Sequence, residues 1–173
     1  MAVYQGRHGK VTVCTTAGSS HHTIAELGEW SVGGMSRDYI EKTAFGDTWK
    51  SYEVGMAEPP EITFSGHLDM TDSSGQVVLS SMFNKGLVIC KSSKSMTAGT
   101  LFNMKLWAST RKTGVSGADA LGYWALSTAG GVASSNTKAY VTSFESAHSK
   151  DGLATVAFTV KVTNGTLGWS TST

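Results

Sequence analysis

The chain has 173 residues, of which 40% are hydrophobic and only 16% are charged, and its formal net charge is +1. A nearly neutral chain lacks the strongly basic surface of a typical nucleic-acid-binding protein. A chain of this length buries roughly 70% of its unfolded surface, so it needs no disulfide or metal to fold. With 20 glycines and many serine and threonine residues, the composition favours one all-β domain over residues 1–173.

Nine runs of alternating or continuous apolar residues predict β-strands. In chain order they cover residues 8–15, 24–32, 35–43, 61–70, 87–91, 101–108, 123–128, 139–146 and 153–163. The last run has the clearest alternation, with Val156, Phe158 and Val160 on its inner face. A turn at Asn164-Gly165 follows, and we expect the Ser/Thr-rich tail beyond it to fray or to pack across a neighbour.

One helix is predicted, over residues 73–85. Asp72 or Ser73 is expected to cap its N-terminus, Ser73 and Gln76 fit a capping box, and Gly86 is expected to end it. Its apolar stripe is narrow, so we expect it to lie against one face of a sheet. The predicted fold is therefore a β-sandwich or barrel with one flanking helix. The edges of its sheets require closure, capping or pairing with another copy.

Residues 43–60 predict a long connection between two strands, because they show neither strand alternation nor a helical period. Connections of this length in a compact domain are mostly functional or disordered. Disordered segments are poor in aromatic residues, whereas this one contains Phe45, Trp49 and Tyr52. The rings either fold back onto their own core or dock on another subunit. We favour docking, since connections run over the surface.

Charge is distributed unevenly along the sequence. The stretch from Glu26 to Asp72 has ten acidic and three basic residues, whereas Ser73 to Ala118 has six basic residues and no acidic one. Two interpretations are open. The two regions pair within one subunit, or they form acidic and basic rims suited to head-to-tail association.

The first ten residues contain no apolar run of the signal-peptide type, and no stretch is long enough to span a membrane. The chain is therefore expected to be soluble and made in a cytosol. Cys14 and Cys90 are far apart in strand-like runs, so buried thiols are favoured over a disulfide.

The sequence shows no catalytic or cofactor motif. It has no phosphate-binding glycine loop, no nucleophile elbow and no metalloprotease helix. A metal could be bound by His21 and His22, but no third ligand lies nearby in the sequence and a solvated loop pair is favoured. His67 and Asp69 share the outer face of one strand, where a polar strand face is favoured over a metal site. Asp69 and Asp72 could imitate a catalytic carboxylate pair, although Asp72 is already expected to cap the helix. No enzyme, metal or cofactor is predicted.

Basic residues are interleaved with an aromatic ring at Lys105, Trp107, Arg111 and Lys112. This pattern occurs where proteins stack bases of single-stranded nucleic acid. A half-exposed strand that leads into a basic turn explains it equally well, and the near-neutral charge disfavours nucleic-acid binding.

Several segments resemble the major tail tube proteins of long-tailed bacteriophages. The more specific ones are G-E-W-S-V (28–32), T-A-F-G-D-T-W-K (43–50), Gly55, I-T-F-S-G-H-L-D (62–69), Thr71-Asp72 and Gln76. The looser ones are A-Y-V-T-S-F-E (139–145) and D-G-L-A-T-V-A-F-T-V-K-V-T (151–163). The chain differs from the family at Glu41-Lys42-Thr43, where an acidic-Thr-Thr step is common. It also ends without the immunoglobulin-like domain that some members carry.

This resemblance implies a β-sandwich of two sheets with a flanking helix. Six copies would form a ring with a continuous inner barrel, and rings would stack into a virion tail tube assembled in the host cytoplasm. Tape measure, tail tip or baseplate and terminator proteins would be partners, and viral DNA would pass through without specific binding. The long connection would reach neighbouring subunits, and its expected contact residues are Phe45, Gly46, Asp47, Trp49, Tyr52, Gly55 and Met56.

Two alternatives remain. A tail terminator or another tail-ring protein would form single rings but no filament. A carbohydrate-binding or adhesin module on a β-sandwich would use Trp30, Trp49, Trp107 and Trp124 to stack on sugars.

Overall fold

A computed structural model describes residues 9–14, 22–91, 103–111, 119–127 and 137–171. These residues form twelve strands and one helix. In chain order the elements are β1 (Lys10–Cys14), β2 (His22–Thr23), β3 (Leu27–Gly33), β4 (Arg37–Glu41), β5 (Tyr52–Ala57), β6 (Glu61–His67), α1 (Gln76–Lys85), β7 (Val88–Lys91), β8 (Asn103–Arg111), β9 (Asp119–Ser127), β10 (Thr137–Ala147), β11 (Thr155–Asn164) and β12 (Thr166–Thr171).

The strands form two five-stranded antiparallel sheets and one separate ribbon. The first sheet has the strand order β12-β9-β8-β1-β2, and the second has the order β3-β6-β11-β10-β7. Strands β4 and β5 pair with each other and with no other described strand. The chain therefore builds a two-sheet body and a hairpin outside it.

The core lies between the inner faces of the two sheets and the helix. Its buried residues include Val11, Val13, Met104, Leu106, Leu126 and Leu167 from the first sheet, Ile62, Phe64, Ile89, Val156, Phe158, Val160 and Val162 from the second, and Leu79 and Met82 from α1. The Phe158 ring is 5.3 Å from Phe64 and 5.1 Å from Phe144, measured between centroids. The prediction of an all-β fold with one helix is confirmed, as is the inward face of β11.

The helix begins at Gln76, later than predicted, and the predicted Ser73–Gln76 capping box is wrong. The carboxylate of Asp72 accepts the N–H of Gln76 at 3.0 Å and the N–H of Ala25 at 3.0 Å, so it anchors the helix start to the chain before β3. The predicted end is confirmed, because Gly86 has φ +60° and donates its N–H to the carbonyl groups of the last turn.

The Gln76 side chain is buried, and it connects three segments of backbone through hydrogen bonds. Its Nε2 donates to the carbonyl oxygens of Ala25 at 2.9 Å and His67 at 2.8 Å, and its Oε1 accepts the N–H of Asp69 at 2.9 Å. An amide in this position satisfies one acceptor and two donor bonds at once. This leaves no reason for it to turn toward Ser73.

The backbones of β3 and β6 approach very closely at the edge of the second sheet. Leu27 pairs with Gly66 next to a register shift, and a Cβ atom on Gly66 would lie only 2.6 Å from the Cα atom of Leu27. Only glycine allows this approach. The preceding turn at Glu26 has φ +56°.

Other expectations fared differently. The tail after Gly165 was expected to fray or to pack across a neighbour, but its described part, Thr166–Thr171, forms β12 and pairs with β9. Cys14 is buried as predicted, whereas the Cys90 side chain, His21 and Lys112 lie outside the described residues.

Candidate functional site

The hairpin outside the body, which we call the arm (residues 35–58), overturns part of the loop prediction. Residues 43–60 were expected to form a connection without strands, but β5 occupies Tyr52–Ala57 and pairs antiparallel with β4. Tyr52, Val54 and Met56 do alternate with Glu53, Gly55 and Ala57. The strand signal was therefore present and was obscured by the central glycine.

The arm continues the hairpin formed by β3 and β6. The last pair of that hairpin is Gly33 with Glu61, and the first pair of the arm is Arg37 with Ala57. Pro60 is buried beneath the arm's base, and its carbonyl accepts the N–H of Val162 at 3.0 Å. The base is therefore fixed to the body.

The tip of the arm is a turn that is held by hydrogen bonds between Ala44 and Asp47. The carboxylate of Asp47 accepts the N–H of Ala44 at 2.7 Å, and the N–H of Asp47 donates to the carbonyl of Ala44 at 3.1 Å. Gly46 between them has φ +101°, a conformation that favours glycine. Asp47 therefore shapes the tip, and Phe45 is presented at its end.

The pairing of β4 with β5 shifts register between Arg37 and Tyr39, near Gly55, and such shifts generally bend a β-ribbon. A Cβ atom on Gly55 would lie 3.0 Å from the carbonyl oxygen of Asp38. Gly55 is thus needed for close approach of the two strands, and its φ lies outside the positive region in which Gly46 is found.

Two exposed ion pairs brace the arm. Lys42 Nζ lies 2.8 Å from Glu53, and Lys50 Nζ lies 2.9 Å from Glu41. Pairs of this exposure contribute about 0–1 kcal/mol each. They help to define the hairpin but cannot stabilise it alone, because an isolated two-stranded hairpin is marginal in water.

The apolar side chains of the arm are uncovered. They are Met35, Tyr39, Ile40, Phe45, Trp49, Tyr52, Val54 and Met56. Phe45 is 110% exposed, Met56 90% and Trp49 84%, so the described residues cover almost none of their surface. Four of the predicted contact residues, Phe45, Trp49, Tyr52 and Met56, thus lie on this surface. Tyr39 and Ile40 also lie on this surface but were not among the expected contact residues, although both are apolar residues within a charged stretch of sequence.

The other candidate sites do not assemble among the described residues, which exclude His21. His22 and His67 are exposed, and the described part of the chain contains no group of three His, Cys, Asp or Glu side chains that could hold a metal. Hydrogen bonds from the Thr71 hydroxyl and backbone lower the pKa of the Asp69 carboxyl, which favours its charged form. Asp72 is occupied at the helix start.

The aromatic and basic residues on β8 form a cluster on the outer face of the first sheet. The Lys105 ammonium lies 4.5 Å from the centroid of Tyr123, and Lys10 lies 5.4 Å from that of Trp107. Trp107 also donates its ring N–H to the Thr12 hydroxyl at 3.0 Å. The chain's own cations thus lie against these rings.

The four tryptophans proposed for sugar stacking do not share one surface. Trp30 and Trp124 pack against the core, Trp49 is on the arm, and Trp107 carries two lysines over its ring. The carbohydrate-binding alternative therefore has no common platform among these side chains.

Within the described ranges, no helix has the length and apolar character needed to cross a membrane.

No protein-family model matches the chain, and no curated protein matches it by sequence. Solved structures do match. A chain from the tail of a gene transfer agent particle is 12% identical with a TM-score of 0.59 and covers 99% of this chain and 100% of its own. A chain from the anti-feeding prophage tube-terminating cap is 15% identical with a TM-score of 0.59, covering 99% and 93%. A chain of the SPP1 tail tube is 11% identical with a TM-score of 0.54, covering 98% and 80%.

This chain has the tail tube fold. The match covers 99% of this chain, so the matched region includes both sheets and the helix. The sequence-based expectation of a β-sandwich of this type is confirmed.

Proposed function

We propose that the chain is a structural protein without catalytic activity whose copies form rings that stack into the tail tube of a phage or phage-like particle. The observation that carries this proposal is an exposed apolar arm projecting from a body with the tail tube fold. Monomeric soluble proteins rarely expose an apolar patch larger than a few hundred Å². The arm is therefore made to be covered by another molecule.

Rings would form through the open edges of the second sheet. Its edge strands are β3 and β7, which each have one partner among the described strands. An unpaired edge offers a row of N–H and C=O groups to another strand. Six copies per ring are supported by the C6 symmetry of the gene transfer agent tail that the chain resembles.

Stacking of rings needs a different contact, in which unlike surfaces of two copies meet. Such heterologous contacts generate filaments when they do not close. We assign this contact to the arm, with Phe45, Trp49, Tyr52 and Met56 as its anchors. Asp47, Gly46 and Gly55 set the shape of the arm that presents them.

The wider partners of this function are those of a tail. A tape measure, a tail tip or baseplate and a terminator would set the ends and length of the tube, and DNA would pass through the lumen. The net charge of +1 suits such a conduit, because a strongly basic wall would bind phosphate and slow transit. The assembled protein would reside in the virion tail.

A second candidate is a terminator that forms one ring and no filament. It is favoured by the similarity to a chain of the anti-feeding prophage tube-terminating cap, whose TM-score of 0.59 equals that of the gene transfer agent tail chain.

Negative-stain electron microscopy across a concentration series, with light scattering, distinguishes these functions. Hollow tubes of uniform width are the expected result, isolated rings would indicate the terminator, and a persistent monomer would contradict self-assembly. The double variant Phe45→Ala, Trp49→Ala should lose tubes while its melting temperature stays within about 2 °C of wild type, because surface substitutions change stability by less than about 0.5 kcal/mol. Tubes formed as readily as by wild type would show that these rings are not the joint.

A further inference from the structure

A groove lies at the end of the body opposite to the arm. Strand β6 leaves the arm at Glu61 and ends at His67, and seven residues of strand span about 20 Å. Just beyond His67, a cavity of about 420 Å³ opens between α1 and the end of β10. We call it the pole groove, and its walls include Leu68, Met70, Val77, Ser80, Phe144 and His148.

The pole groove is suited to an apolar guest. Met70 is 73% exposed and Val77 39% exposed at its rim, and the Phe144 and Phe158 rings line it. The amide of Gln76, which also lines it, already has three backbone partners. No buried side-chain polar atom among the described residues lacks a partner, so none of the buried polar atoms at the groove needs a ligand to satisfy it. Its volume lies in the range that receives small organic groups.

The arm has the surface that such a groove would cover. The arm has four aromatic rings, those of Tyr39, Phe45, Trp49 and Tyr52. Their exposed surface area amounts to roughly 500–800 Å², taking about 150–250 Å² per ring. One partner in a stable protein interface buries about 800 Å². The arm alone therefore supplies most of one side of an interface.

We propose that the pole groove receives the aromatic arm of a second copy of this chain. The inference rests on the proposed function and specifies its stacking contact. Because the arm starts at one end of β6 and the groove lies past the other, each copy offers an arm in one direction and a groove in the other. A contact of this kind repeats without closing, so it builds a filament.

Another surface that could receive the arm is the outer face of the first sheet, where Lys10 and Lys105 lie against the rings of Trp107 and Tyr123. Its rings are already contacted by the chain's own ammonium groups, so a foreign ring would have to displace them. The pole groove needs no such displacement.

The experiment uses two ways of closing the groove. Val77→Lys places a charge at the rim, and Ser80→Phe fills the cavity with an internal ring. Asn84→Lys, at an exposed position of the same helix outside the groove, is the matched control. Each variant is checked for a cooperative melt near that of wild type before assembly is scored by microscopy and sedimentation.

We expect both groove variants to lose tubes by at least tenfold in assembled mass, while Asn84→Lys assembles like wild type. Mixing an arm-deficient variant (Phe45→Ala, Trp49→Ala) with Val77→Lys should produce a complex that neither forms alone, because one supplies the groove and the other the arm. This complex should stay short, since each variant lacks one of the two surfaces.

Folded groove variants that assemble like wild type would overturn the inference and leave the proposed function intact. A mixture without a shared complex would also overturn it. A wild-type chain that never forms rings or tubes would instead contradict the proposed function, and a mixed complex seen even then would still support the arm-to-groove contact.

Discussion

Strands β3 and β6 of the body and strands β4 and β5 of the arm belong to one long hairpin but differ in burial. β3 runs into β4, and β5 runs into β6, and the pairing along this hairpin is interrupted near Gly34 and the prolines. Within the body, Ile62 and Phe64 are almost fully buried, whereas every residue of β4 is exposed.

The difference comes from what faces each strand. β6 alternates apolar and polar residues and finds a second sheet opposite its apolar face. β5 alternates in the same way, but no second layer faces it among the described residues. Alternation thus predicts a strand, while burial depends on a partner, and we propose that the partner of the arm is another copy of the chain. We therefore expect damage to the body to change folding and damage to the arm to change assembly.

Gly66→Ala should have the largest effect on folding. The added Cβ would collide with the backbone of residues 26–28, which cannot move aside as a flexible side chain could. We expect a loss of about 4 kcal/mol or more in the free energy of unfolding, measured by urea denaturation. Gly33→Ala is the control, because a Cβ there meets nothing within 4 Å. Equal stability of the two variants would contradict the close approach of the two backbones at Gly66.

Gln76→Ala should be the next most damaging. It leaves the N–H of Asp69 and the carbonyl groups of Ala25 and His67 without their buried partner, and each such loss costs about 1–3 kcal/mol. We expect the unfolding free energy to fall by about 3 kcal/mol. Asn84→Ala, an exposed polar change on the same helix, should alter it by less than about 0.5 kcal/mol. An equally small change in the unfolding free energy of Gln76→Ala would contradict the proposed bridging role of Gln76.

Replacing residues 37–57 by a short Asn-Gly turn tests whether the arm is needed for assembly but not for folding. The arm makes few contacts with the body, and a lone hairpin adds little stability. The melting temperature of the shortened chain should therefore stay within a few degrees of wild type, since about 1 kcal/mol corresponds to roughly 2–4 °C at this size. No tubes should form. Collapse of the body would show that the arm is part of its folding unit.

The sequence was most informative where a segment is complete within its own chain. Val156 to Val162 predicted their strand and its inner face correctly, and Gly86 predicted the end of the helix. The helix start was misjudged because Gln76 binds backbone that is distant in sequence, and Ser73 competes only locally. The arm was recognised by its rings but not as a hairpin, since Gly55 interrupts the pattern. The pole groove could not be predicted, because it is formed by the meeting of α1 and β10.

Removing both arm ion pairs should have a smaller effect than removing its rings. Lys42→Ala with Lys50→Ala breaks two contacts between exposed side chains, each worth about 0–1 kcal/mol and screened by salt. We expect tubes to form with at most a few-fold rise in the protein concentration required, measured by light scattering, and the difference from wild type to shrink at high salt. Complete loss of tubes would mean that these lysines contact another subunit directly.

The smallest expected effect is a titration at the rim of the pole groove. The Thr71 hydroxyl donates to the Asp69 carboxylate at 2.6 Å, and with the Thr71 backbone N–H it lowers the carboxyl pKa. A lowered pKa stabilises the fold above the carboxyl's unfolded-state pKa, and this contribution disappears as the pH falls through the folded-state value. Thr71→Val should therefore raise the pKa of Asp69 toward its ordinary range, as followed by carboxyl NMR, while Ser73→Ala leaves it unchanged. Because the backbone N–H remains in Thr71→Val, the shift should be partial. A complete return would mean that the hydroxyl alone holds the carboxylate in place.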